Sequence, residues 1–122
     1  MGKMVDDSVL DGALNVVKNN CNVMVVCSNQ PTTRTEAITT YALADVAMTT
    51  TDFTLANGDV SGRKLTVAAK NGIPVDASGT GTHIALCSAT TLLLVTTMTS
   101  QVLTAGNTVN IPAWDQEIAD PS

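Results

Sequence analysis

Aromatic side chains are nearly missing from this sequence: Tyr41, Phe53 and Trp114 are the three it has. Histidine occurs once, as His83, and only 14% of the 122 residues are charged, where about a quarter is usual. Each shortage excludes something. The six Lys and Arg are scattered from Lys3 to Lys70, while phosphate backbones and anionic membrane surfaces call for clustered cations. With a net charge of −5 and a pI near 4.4, neither nucleic acid nor a membrane is an expected partner. One His and the three thiols Cys21, Cys27 and Cys87, with no CxxC among them, do not make a four-ligand zinc set. Buried free thiols are expected instead, as suits assembly in a reducing cytosol. The longest apolar runs, residues 23–27 and 92–95, fall far short of the roughly 20 residues that span a bilayer. The residues after Met1 lack the apolar core of a signal peptide.

The charge deficit is concentrated. From residue 77 to residue 114, 38 residues pass without an Asp, Glu, Lys or Arg. Two readings fit this stretch. It holds the inner strands of one core, or part of its outer face is covered by another subunit. An uncharged face suits the second reading, because contact there desolvates no ion.

What is abundant is β-branched. There are 19 Thr and 14 Val, stiff at χ1 and at home in strands. The chain is 44% apolar, and a chain this long buries about two thirds of its unfolded surface. A single β-rich domain over residues 1–122 is therefore expected. The exception is a helix at about residues 8–20, opened by a capping-box pattern at Ser8 and Asp11 and striped by Leu10, Ala13, Leu14, Val17 and Cys21. Strands are expected from about residue 22 to 119. Residues 22–28 read as a strand buried on both faces, and residues 64–70 alternate as one with a wet face. Residues 35–50 begin as a helical turn and end as a strand. Residues 82–88 and 92–99 form one hairpin. Residues 101–103 and 108–111, joined at Ala105-Gly106-Asn107, form another. A last strand lies at 114–119. Turn signals every 8–12 residues predict an antiparallel β-sandwich or barrel with one N-terminal α-helix.

No constellation points to catalysis, a metal or a cofactor. His83 and Cys87 share a strand face but stand about 13 Å apart at strand rise, too far for proton transfer. Asp115, Glu117 and Asp120 read as a solvated edge rather than a glycosidase pair. Gly79-Thr80-Gly81 precedes a strand, whereas a phosphate loop leads into a helix. Trp114 reads as core, with sugar stacking as the alternative.

Residues 79–120, GTGTHIALCSATTLLLVTTMTSQVLTAGNTVNIPAWDQEIAD, combine a Thr-His strand with the segment LTAGNTVNIPA at residues 103–113. Together with VMVVCSNQPTT and ADVAMTTTDFTLANGDVSGRKLTVAAKNG upstream, this resembles a group of small virion proteins of tailed bacteriophages and prophages. The resemblance covers about 100 residues and implies a structural protein of the decoration, head-fibre or minor tail type. The expected function is capsid decoration or cementing, with the major capsid protein or other virion proteins as partners, homo-oligomeric, and located on the virion after assembly in the host cytoplasm. A tail, neck or fibre-base component is the alternative, as is a receptor- or carbohydrate-binding module. Alternation over the charge-free strands assigns Ile84, Leu86, Leu92 and Leu94 to the core. It assigns Ala85, Leu93, Val95 and Thr97 to a second face, expected at an interface. The helix stripe Leu10, Leu14 and Val17 packs on the chain's own β domain or on a neighbour.

Overall fold

The computed structural model describes residues 5–119. The helix α1 runs Asp7–Asn20, one residue earlier than the capping box predicts. Asp6 is the cap, its carboxylate accepting the Ser8 amide at 3.0 Å. A carboxylate there answers the positive helix end as well as an open N–H. Asp11, the other half of the expected box, instead meets Arg63 Nε at 2.7 Å. Leu10, Leu14 and Val17 are buried, with α1 laid over β3 (Phe53–Asn57) and β4 (Arg63–Val67). Their stripe is thus spent within the chain and not presented to a neighbour. The exposed Val9 and Val16 lie on the opposite side.

The rest is antiparallel β, as the composition predicts. Strands β1 (Val23–Cys27), β2 (Ala42–Ala47), β6 (Gly79–Cys87) and β7 (Leu92–Leu103) form a four-stranded sheet in the order β2-β1-β6-β7. Strands β3, β4 and β9 (Trp114–Ile118) form a second sheet, and β5 (Lys70–Pro74) pairs with β8 (Thr108–Ile111) in a third. Strand β1 is buried on both faces as expected: Met24 and Val26 enter the main core, and Val25 and Cys27 enter a second cluster on the other side.

Three differences from the sequence reading matter. First, residues 101–103 are not a separate strand, because β7 continues unbroken through twelve residues. The turn at Ala105-Gly106-Asn107 exists, with Gly106 at φ +91°, but the chain leaves it to pair β8 with β5 instead of folding back on β7. Second, the alternation at residues 64–70 splits at Val67. The Ala68 amide turns aside to the Asp52 carbonyl at 2.8 Å, and Lys70 begins β5 in another sheet. Third, β7 is bulged twice against β6, once opposite Thr82, where residues 98–100 lie between the pairs Gly81–Gln101 and His83–Thr97, and once near its start. Leu86 faces Leu94 but Cys87 faces Leu92, so Leu93 is the extra residue. One inserted residue reverses the faces beyond it. Leu93 therefore joins Leu94 against the main core, and Leu92 joins Val95 in the second cluster. The expected assignment of these two leucines is reversed.

The main core draws from all three sheets and the helix, including Leu14, Met24, Phe53, Leu65, Leu86 and Val109. The second cluster, of Val25, Cys27, Ala85 and Cys87, is roofed by a π-helical turn at Glu36–Thr40, whose Ala37 is fully buried. The fully buried Ala85 is therefore covered by the protein itself, and the second sheet face is closed there without a partner subunit.

Candidate functional site

Uncharged strand edges expose unpaired backbone N–H and C=O groups, and native folds usually guard them. The sheet edges of this protein differ in that respect. At the β2 edge, the amides of Asp76 and Ala77 hydrogen-bond the Leu43 carbonyl at 2.7 and 3.1 Å, and Asp45 adds a charge. Strand β9 carries Asp115 and Glu117; Lys64 Nζ lies 3.2 Å from the Asp115 carboxylate, and Glu117 accepts the Val60 amide at 3.3 Å. Strand β7 has neither device. It pairs only with β6, contains no charged residue, and leaves Thr97, Thr99, Ser100, Gln101 and Val102 exposed. Val102 is 78% exposed. Of the residues expected at an interface, Thr97 is exposed, Val95 and Leu93 are half-buried, and Ala85 is inaccessible.

Beside this edge lies a cleft of about 350 Å³, walled by β7 on one side and by the β8–β9 segment on the other. Thr97, Thr99, Gln101, Asn110, Trp114 and Asp115 line it. Trp114 also packs against the main core, as its sequence reading holds, but its indole Nε1 is buried with no hydrogen-bond partner. Asn110 commits its Oδ1 to the Gly72 amide at 2.8 Å, which leaves its amide nitrogen available. Gln101 and Thr99 carry no motif of their own in the sequence, and Asn110 falls inside LTAGNTVNIPA, read there as strand and turn. All three belong to the charge-free segment, but nothing along the chain brings them together, since the crossing of β7 past β8–β9 is a tertiary event.

The nucleophiles and bases are elsewhere. Cys21, Cys27 and Cys87 are buried and unbridged. Burial pushes the Cys27 thiol up to about 12 and Cys21 to about 11, and it raises Cys87 as well; thiols so desolvated stay protonated and unreactive. Thr82 Oγ1 donates to the Ser28 carbonyl at 3.0 Å and shares a 2.8 Å hydrogen bond with His83 Nδ1. A hydroxyl has one proton to give, so Nδ1 is the protonated ring nitrogen. No carboxylate bonds this ring among the described residues. The five described cations are all engaged. Arg63, Lys64 and Lys70 meet acids, Lys18 donates to the Phe53 carbonyl, and Arg34 to that of Ser88. No group of three or more His, Cys, Asp or Glu able to hold a metal occurs among the described residues, nor is any described helix long and apolar enough to cross a membrane. Asp120 lies outside the described residues.

In comparisons with known proteins, no family model, no curated protein and no solved structure matches this chain.

Proposed function

We propose that the protein is a non-enzymatic structural component of a tailed-bacteriophage virion, a decoration or cementing protein that binds the major capsid lattice through the β7 edge. The observation that carries this reading is the long β7, bulged but bare of charge and of covering chain, set in a molecule that guards its β2 and β9 edges with both. A strand of a coat subunit, or of a second copy, can continue the sheet there without desolvating a charge. The net charge of −5 opposes close approach of two copies, and β7 itself adds no charge to that repulsion. Many such contacts on one lattice sum by multivalency. The likeness of residues 79–120 to small virion proteins supports the same reading.

Quantitative mass spectrometry of separated heads and tails tests it. High copy number in heads is the expected result. Confinement to tails would move the protein to a tail, neck or fibre base, and absence from both would overturn the proposal.

A further inference from the structure

We infer that the cleft between β7 and the β8–β9 segment is a binding site for a neutral saccharide unit, an inference independent of coat attachment. Its volume of about 350 Å³ lies at the small end of ligand sites, about 300–1,000 Å³, and suits one or two hexose rings. Trp114, half-buried on the main core and lining the cleft, supplies an aromatic wall for the apolar C–H face of a sugar ring.

The remaining polar groups suit hydroxyl recognition. The side chains of Thr97, Thr99 and Gln101 make no hydrogen bond within the described protein. Asn110 retains its amide donor, and Asp115 offers a carboxylate acceptor at the rim. Sugar hydroxyls donate and accept at once, and this set offers both roles. No cation lines the cleft, the Asp115 carboxylate already has its cation in Lys64 at 3.2 Å, and the net charge of −5 repels anions. Acidic and phosphorylated sugars are therefore disfavoured.

Trp114 is the sole tryptophan, so its fluorescence reports on the cleft directly. Cellobiose, lactose and N,N′-diacetylchitobiose, titrated into the intact chain, are the probes. At least one is expected to shift the emission saturably, with a Kd on the order of 1 mM. Gln101→Ala, a change at an exposed side chain, should weaken that binding about tenfold while circular dichroism stays unchanged. Trp114→Leu, which removes the aromatic wall, should do the same when followed by calorimetry. Sialyllactose should bind more weakly than lactose. Retention on cellulose or chitin beads alongside binding of the free disaccharide would assign the ligand to a polymer, and free binding alone to a soluble sugar. No saturable change with any disaccharide, binding indifferent to Gln101→Ala, or tighter binding of sialyllactose would overturn the assignment.

Discussion

Leu93 and Val95 are two residues apart on β7, and the bulge between them and β6 gives them different duties. Leu93 rests on the main core and Val95 on the second cluster. Leu93→Lys places an ammonium against that core and is expected to cost about 2 kcal/mol or more. Val95→Lys should cost less, because a lysine there can run its stem along the cluster and keep its head in water. Urea denaturation of the two variants checks the difference, and equal losses would contradict the bulged register.

Two carboxylates titrate in opposite senses. Asp45 is held above its ordinary value, chiefly by its hydrogen bond with Asp76, then by burial and by the Asp76 charge. Folding therefore favours the protonated form. Its contribution is full below the ordinary carboxyl value and is lost as pH rises through the folded one. Burial alone would also raise Asp52, but the Lys70 ammonium at 2.9 Å and the Thr49 amide outweigh it and hold it low. Its contribution is present above the ordinary value and is lost as pH falls through the folded one. Asp76→Asn should raise thermal stability slightly at neutral pH and remove the Asp45 component of the profile, leaving the acid-side loss due to Asp52. Both Asp45 and Asp76 are exposed, so solvent screening keeps the effect small. Melting temperatures from pH 3 to 8 would check both signs.

Among the elements, α1 and β7 show how the same kind of apolar pattern meets different ends. The α1 stripe covers β3 and β4, and Leu14 is only 2% exposed. Leu14→Asp should destabilise the fold by about 3 kcal/mol or more, measurable as a lowered denaturant midpoint; wild-type stability would mean that the stripe is not buried. The β7 edge has no such cover. Val102→Lys, alone or with Thr97→Lys, adds the kind of charge that blocks strand addition. It should leave the isolated fold unchanged and weaken self-association or capsid binding by about 1–4 kcal/mol. Analytical ultracentrifugation and capsid sedimentation measure this. Undiminished binding would remove β7 from the interface.

At the scale of the whole molecule, three small sheets and the helix α1 share one main core, with a second, smaller cluster beneath Glu36–Thr40. A two-stranded sheet such as β5–β8 is marginal alone, and Ile73, Val109 and Ile111 hold it by joining the main cluster. Leu65, fully buried between α1 and the sheets, should therefore behave as a global residue. Leu65→Ala is expected to cost about 2–5 kcal/mol, with the helical and sheet signals of circular dichroism lost in one transition. Separate transitions would show that the sheets melt independently.

The β class, the single N-terminal helix, the doubly buried β1 and the turn at Gly106 were legible in the sequence because they depend on local physics. β-branched content, a 3.6-residue stripe, a short apolar run and glycine's tolerance of positive φ act within a few residues. The partner of β8, the faces of Leu92 and Leu93, the cover over Ala85 and the gathering of Gln101, Asn110 and Trp114 were decided by tertiary structure alone. A turn sets only where the chain reverses; which edge the next strand joins depends on the competing burial of Ile73, Val109 and Ile111. A bulge leaves no mark in an uninterrupted Leu-Leu-Leu-Val run, yet it moves Leu93 to the opposite face. The cleft arises where two segments cross, and no spacing along the chain records that crossing.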